Sequence, residues 1–218
     1  MAGALVRDTV QGPPRIPPEG GWGDGGPGGG GPGGEERGSS RRRLFTGLVV
    51  LLAATAMVFL AFTTALVLRR GVGDDWEPME KPRILLVNTA VLLLSSAALG
   101  RARQALRAQR RTRFNWWWTA GTLLGMGFLA GQWEAWRQLR AAGEWIDSNP
   151  SNAFFYMMTM AHAAHLVGGL GALLYVEVQA LRLRLGPAKR TAVDVSAIFW
   201  HFLDGTWVYL MVVFYWWG

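Results

Sequence analysis

The sequence predicts an all-α membrane protein in which five transmembrane helices form a bundle. Its apolar residues are grouped into five long runs, and a helix needs about 20 residues to cross a bilayer. No strand-like alternation of apolar and polar residues is sustained, and the basic residues lie almost entirely between the runs. The runs place the predicted helices at residues 44–68, 84–100, 114–136, 154–181 and 193–217.

The distribution of basic residues predicts the orientation of this bundle. With the N-terminus in the cytoplasm, 16 of the 22 Lys and Arg residues lie on the cytoplasmic side and six lie outside. Cytoplasmic loops carry the excess of Lys and Arg in membrane proteins, so we expect the N-terminus inside and the C-terminus outside. The net charge of +7 would also suit a nucleic-acid partner, but its placement between apolar runs favours the membrane interpretation, and we expect no nucleic acid.

The first 43 residues have a different composition from the rest of the chain. They contain 14 Gly and 6 Pro with few apolar side chains, which cannot bury enough surface to offset the entropy of ordering. We therefore predict a disordered cytoplasmic tail at 1–43 and a single membrane domain at 44–218. The chain has no cysteine, which excludes disulfides, thiolate metal sites and cysteine nucleophiles on it.

Polar residues in the second and third predicted helices suit helix packing. Asn88 lies near one end of the second helix, and small or hydrogen-bonding side chains of this kind hold membrane helices together. The third helix carries four glycines in two overlapping small-xxx-small spacings, Gly121, Gly125, Gly127 and Gly131. Gln132 and Glu134 follow near its outer end. Its first residues, Trp116, Trp117 and Trp118, are expected to form an interfacial aromatic belt.

The fourth and fifth predicted helices carry the three histidines of the chain. His162 and His165 are three residues apart and share a face, and Ser151 or Asn152 is expected to cap this helix. Glu177 lies nearer its other end. In the fifth helix, Asp194, His201 and Asp204 fall within about 80° of one another on a helical wheel, so one face is polar.

Ionisable groups are costly in hydrocarbon, so these side chains are expected to face protein. Asp204 is the deepest, and His201 or a histidine of the fourth helix is its expected partner. Three uses remain open for the set: hydrogen bonds between helices, ligation of haem by His162 or His165 with His201, and a proton path through Glu134, Glu177, Asp194 and Asp204.

Three motifs together resemble subunit III of the haem-copper terminal oxidases. WHFLDGTW followed by FYWWG, at residues 200–218, is similar to the last helix of that family, and it includes Trp200, Trp207 and Trp216. FFYMMTMAHAAHLVGGLGAL resembles the family motif that contains two histidines, here His162 and His165. LLVNTAVLLLSS, which contains Asn88, resembles the family's LLNT motif. The chain resembles the short, five-helix form.

The sequence also departs from the family pattern. Many members carry a glutamate in the helix that corresponds to residues 44–68, whereas this chain has Thr55 or its neighbours there. Gln132 and Glu134 are one residue out of step with the family's Gln-x-x-Glu. A proton-related role for the missing glutamate therefore cannot be transferred to this chain.

The resemblance implies a non-catalytic subunit of an oxidase that reduces oxygen in the respiratory chain of a bacterial inner membrane. It implies no cofactor on this chain, haems and copper on the catalytic subunit I with which it assembles, bound phospholipid, and support of proton uptake. The electron donor, cytochrome c or quinol, is left open. A b-type membrane cytochrome and a small transporter are the alternatives from other classes.

Overall fold

The computed structural model is a bundle of five α-helices and describes residues 32–72, 83–182 and 187–217. The helices are α1 (Pro32–Val72), α2 (Ile84–Arg107), α3 (Arg111–Ala141), α4 (Pro150–Leu181) and α5 (Pro187–Trp217). The described residues contain no strand. The predicted all-α class and the order of five helices are therefore confirmed.

Four of these helices are long and apolar enough to cross a membrane. Their candidate spans are Arg41–Val72, Ile84–Arg107, Pro150–Leu181 and Arg190–Trp216. Helix α3 is not among them, because its glycines, tryptophans, Gln132 and Glu134 lower its hydropathy. The fifth membrane crossing and the orientation of the termini therefore stay predictions.

The helices extend beyond most of the predicted bounds. Helix α1 begins at Pro32, so residues 32–43 of the predicted disordered tail are helical, and residues 1–31 lie outside the described residues. Glu and Arg, which favour helix, are frequent in this added segment. Helix α3 reaches Ala141, five residues past its predicted end. The turn predicted after residue 68 lies largely at 73–82, also outside the described residues.

The N-cap predicted for α4 is wrong by two or three residues. Asn149, not Ser151 or Asn152, has extended backbone, and its side-chain Oδ1 accepts a hydrogen bond from the Asn152 backbone N–H at 2.9 Å. Pro150 then occupies the first helical position, where its fixed φ suits the helix and its missing N–H leaves no donor unpaired.

Four helices enclose the core, and α1 packs on their outside. Helices α2 with α3, α3 with α4, α4 with α5, and α5 with α2 are in contact, while α1 contacts α4 and α5. Helix α5 consequently has neighbours on three sides, and Trp200, Leu203 and Trp207 on it are fully buried. Among the polar residues of α5, Ser196 and Asp204 are buried with them, whereas Asp194 and His201 are only half-buried.

The glycines of α3 allow the close helix contacts that the sequence predicts. A Cβ at Gly121 would lie 2.8 Å from Leu99 Cγ, and one at Gly125 would lie 2.7 Å from the Trp200 ring. A Cβ at Gly131 would overlap the side chain of Asn88, whereas Gly127 has only Val91 Cγ1 at 3.9 Å. At three of the four glycines, the space that a side chain would fill is therefore occupied by a neighbouring residue.

Candidate functional site: the polar interior of the bundle

A row of three polar contacts runs along the seam between α2 and α5. Trp207 Nε1 donates to Thr89 Oγ1 at 3.0 Å, and Ser96 Oγ is in hydrogen-bond contact with His201 Nδ1. At the far end, Arg103 Nη2 and Asp194 Oδ1 form an ion pair at 3.0 Å. The α2 members are seven residues apart, so each returns to the same side of the helix after two turns.

His162 lies in an aromatic enclosure at the junction of four helices. Its ring centroid is 6.1 Å from that of Phe59 on α1, 6.3 Å from Phe128 on α3 and 5.1 Å from Trp207 on α5. The side chain is fully buried, and neither ring nitrogen has a hydrogen-bond partner among the described residues. Its contacts are therefore those of a packed aromatic ring.

His165, one turn later, occupies a different environment. Its Nδ1 lies 2.7 Å from the Ala161 carbonyl oxygen, and its ring centroid is 5.7 Å from that of Phe59. It also lines a groove of about 660 Å³ between α1, α4 and α5, together with Arg43, Gly47, Gly168 and Phe199. This groove is almost entirely apolar apart from its basic end.

The structure does not form the pair that was expected for Asp204. The carboxylate is buried, and neither of its oxygens forms a hydrogen bond of normal geometry within the described residues, although the Ser96 side chain on α2 lies near it. His201 is three residues earlier on the same helix, but its ring contacts Ser96 on α2, and His162 is enclosed by aromatic rings. The histidines expected as partners are thus held by other groups.

The remaining predicted polar residues have separate environments. Thr119 Oγ1 donates to Glu177 Oε1 between α3 and α4. Glu134 is paired with Arg137 at 2.8 Å on the exposed side of α3. Gln132, two residues earlier, is buried, and its amide has no partner among the described residues. The four carboxylates of the possible proton path, Glu134, Glu177, Asp194 and Asp204, therefore share no partner in the described part of the chain.

The histidines do not converge on a common point. His162 and His165 both contact Phe59, whereas His201 contacts Ser96 on the other side of α5. Within the three described ranges, no group of three or more His, Asp and Glu side chains is placed to hold a metal ion. The three histidines therefore lie in separate side-chain environments.

The tryptophans divide between anchoring and packing. Trp116 and Trp216 are 71% and 78% exposed, as expected for interfacial anchors. Trp118 is wrongly assigned to the belt, because it is fully buried and its Nε1 donates to the Leu173 carbonyl at 3.1 Å. Trp200 is also fully buried, where the absent side chains of Gly125 and Gly169 leave room for its ring.

Two structural partners were not identified from the sequence. Phe59 is the only residue of α1 with a ring contact to both His162 and His165 among the described residues, but nothing in its sequence context distinguishes it from other apolar residues. Arg103 lies beyond the predicted end of the second helix at residue 100, so the sequence gives it no partner. Its spacing of seven from Ser96 and fourteen from Thr89 is the signal that places it on the same side of α2.

Comparisons with known proteins agree with the motifs. A family model described as cytochrome c oxidase subunit III matches residues 34–218. A cytochrome c oxidase subunit 3 of Synechocystis is 29% identical over 180 residues, covering 79% of this chain and 75% of the relative. A probable cytochrome c oxidase subunit 3 of Mycobacterium tuberculosis is 30% identical over 175 residues, covering 78% of this chain and 85% of the relative. The mouse cytochrome c oxidase subunit 3 is 25% identical over 188 residues, covering 79% of this chain and 69% of the relative. The resemblance is confirmed: this chain belongs to the cytochrome c oxidase subunit III family.

Proposed function

We propose that this chain is a non-catalytic subunit III that stabilises the catalytic subunit of a haem-copper terminal oxidase in a bacterial inner membrane. Family membership over residues 34–218 supports this assignment. The observation that carries it is the use of the polar residues: the Thr89, Ser96 and Arg103 contacts join helices to one another. In this proposal the haems and copper belong to partner subunits, and this chain performs no chemistry alone.

The proposed topology has five membrane crossings, with the N-terminus in the cytoplasm and the C-terminus outside. The four apolar spans support it, and α3 completes it because α3 packs between α2 and α4 along its length. A helix enclosed by two membrane helices can carry more polar residues than one that faces lipid on all sides. The excess of Arg on the cytoplasmic side supports the orientation.

A bound phospholipid is part of the proposed function. The groove between α1, α4 and α5 has an apolar lining and the Arg43 guanidinium at one end. An acyl chain fits the lining, and a lipid phosphate fits the arginine, whose planar donors suit phosphate oxygens. Such a lipid would fill the space that α1 leaves beside α4.

Support of proton uptake by the catalytic subunit is a further part of the proposed function. Thr55 stands in the helix where many family members carry a glutamate, and it is buried with no hydrogen-bond partner for its hydroxyl among the described residues. We therefore propose that this chain acts on proton uptake through the stability of the assembly. Loss of the chain should then accelerate inactivation during turnover more than it lowers the initial rate of oxygen reduction.

The proposal is tested by purifying the chain, tagged at its N-terminus, from native membranes in mild detergent. Co-purifying haem and copper subunits with oxygen uptake would support it, and the preferred donor, reduced cytochrome c or quinol, would distinguish the two classes of oxidase. A colourless chain that arrives alone would contradict the proposal. A lone chain with a b-type haem spectrum would instead make the histidines ligands.

A further inference from the structure

The membrane-facing side of α5 lies open between α1 and α2. Its exposed residues are Gly205, Val208 and Val212, and the half-buried His201 lies one turn before Gly205. Helix α1 flanks this side through the hydrogen bond from Tyr209 Oη to Thr63 Oγ1 at 2.9 Å. Helix α2 flanks it through the contact of Ser96 with His201. We call this surface, with His201, Gly205, Val208 and Val212 at its centre, the α5 face.

The α5 face carries a polar pair, His201 with Ser96, near the middle of the membrane. The candidate span of α5 runs from Arg190 to Trp216, so His201 lies about 16 Å along a helix of about 40 Å. Both His201 and Ser96 are only half-buried within this chain. Polar groups at this depth face protein or a water-filled cavity in preference to lipid. Another protein segment is therefore needed to cover the pair.

The surface beside this pair has an open backbone and a groove. A Cβ at Gly205 would have nothing within 4 Å, so the backbone itself is open to a neighbour there. Gly205 also lines a groove of about 330 Å³ with Ala56, Leu60, Phe202 and Tyr209. Small residues at a membrane helix surface allow a second helix to approach closely. The groove and the glycine together suit the side of one transmembrane helix.

Arginines predominate at one end of the seam between α2 and α5. Arg103, Arg107 and Arg190 line a small pocket of about 60 Å³ with one acidic side chain, that of Asp194. Arg103 is paired with Asp194, and Arg190 Nη2 donates to Gln109 Oε1 at 3.2 Å. The end of the seam therefore keeps an excess of positive charge, which fits a carboxylate on a partner.

From these observations we infer that the α5 face binds a transmembrane helix of a haem-bearing oxidase subunit. The helix would offer a hydrogen-bonding side chain to His201 at mid-membrane, a close contact at Gly205 and an acidic residue beside Arg107. This inference rests on the proposed function, since it names the surface through which the chain joins the oxidase.

The test compares two leucine substitutions at exposed glycines of the tagged chain. Gly205→Leu places a side chain in the α5 face, whereas Gly171→Leu places one on the exposed side of α4, where a Cβ also meets nothing within 4 Å. The expected result is a loss of co-purifying haem with Gly205→Leu and wild-type haem with Gly171→Leu. Haem retained by Gly205→Leu, or lost equally from both variants, would overturn the inference.

If the Gly205→Leu chain fails to accumulate, a photo-crosslinking amino acid tests the same contact in a chain that keeps Gly205. It is placed at Val208 on the α5 face or at Val167 on α4, which is 60% exposed. The inference expects crosslinks to a haem-bearing subunit from Val208 and not from Val167. Crosslinks to lipid from Val208, with haem still co-purifying, would overturn the inference but keep the proposed function. A wild-type chain without haem subunits would overturn both.

Discussion

At the scale of single residues, the buried polar groups of this chain act mainly by joining helices. Thr89 is an example: its hydroxyl donates to the Leu85 carbonyl at 2.8 Å and accepts the Trp207 indole N–H. The second bond links α2 to α5. The ring centroids of Trp207 and Phe128 on α3 are 4.9 Å apart. A hydroxyl is thus placed where it fixes the orientation of a core indole.

Replacing Thr89 by Val is expected to destabilise the chain. Valine keeps the shape of threonine but leaves the buried Trp207 N–H unpaired, and hydrogen bonds between membrane helices contribute about 0.6–2 kcal/mol. The free energy of unfolding in detergent, measured by denaturant titration, should fall by this amount. Thr64→Val is the control, because the exposed Thr64 hydroxyl donates to the Leu60 carbonyl of its own helix and to no other helix among the described residues. Equal effects of both substitutions would contradict the explanation.

Gln109 is a residue whose backbone conformation carries a local cost. Its φ of 59° lies in the left-handed region, and the turn after α2 is closed by bonds from Gln109 N to Leu106 O and from Arg110 N to Ala105 O. The turn after α3 has the same pair of bonds, with Gly143 at the corresponding position and a φ of 84°. Glycine is the residue that this position favours.

Gln109→Gly is therefore expected to be more stable than Gln109→Ala. Both variants lose the bond from Arg190, but only glycine relieves the left-handed backbone, which costs about 1–2 kcal/mol for a residue with a Cβ. Thermal unfolding of the two purified variants measures the difference. If the alanine variant is as stable as the glycine variant, the turn is not strained at this residue.

At the scale of helices, the contact between α2 and α3 depends on the absence of side chains. Gly131 accommodates Asn88, whose Nδ2 reaches toward the Phe128 carbonyl, and Ser95 Oγ donates to the Gly121 carbonyl at 2.8 Å. Both interactions place a polar side chain of α2 against the backbone of α3. Small residues let membrane helices approach in this manner.

Gly131→Ala is expected to loosen this helix pair. The added Cβ would overlap Asn88, and overpacking of a core typically costs about 1–3 kcal/mol. Gly127→Ala is a matched control on the same helix, because its Cβ would meet only Val91 Cγ1 at 3.9 Å. Alanine favours helix over glycine, so the control should be unchanged or slightly more stable. A Gly131→Ala chain that unfolds at the wild-type denaturant concentration would show that Asn88 moves without cost.

At the scale of the whole molecule, the position of α1 creates the largest groove described above. Helix α1 contacts α4 and α5 but not α2 or α3, so it leaves space beside α4 where Gly168 and His165 lie. The Arg43 end of this groove is where a lipid phosphate is proposed to bind. The groove therefore offers a direct test of the lipid proposal.

Gly168→Leu is expected to remove most of the phospholipid that co-purifies with the chain. A Cβ at Gly168 has nothing within 4 Å and Gly168 lines the groove, so a leucine there is expected to occupy the groove. Lipid per chain is measured by phosphorus analysis and mass spectrometry. Gly171→Leu, on α4 but outside the groove, should keep the wild-type lipid content. Unchanged lipid in Gly168→Leu would place any bound phospholipid elsewhere.

The sequence by itself determined the class, the order of the helices and the family. These properties depend on apolar runs, on basic residues at their ends and on motifs such as WHFLDGTW, all of which are local and can be read along the chain. It also identified Gly121, Gly125 and Gly131 of α3 as contact sites from their spacing of four, although the same spacing includes Gly127, which makes no close contact.

Only the tertiary structure decided which residues are partners. His201 contacts Ser96, 105 positions away, and Asp194 pairs with Arg103, 91 positions away. The same holds for Trp118, which the sequence places in an interfacial belt but the fold buries against α4. A residue's partner depends on how far each helix is rotated about its axis toward its neighbours. That rotation is fixed by the packing of all five helices together, so the pattern within any one helix does not determine it.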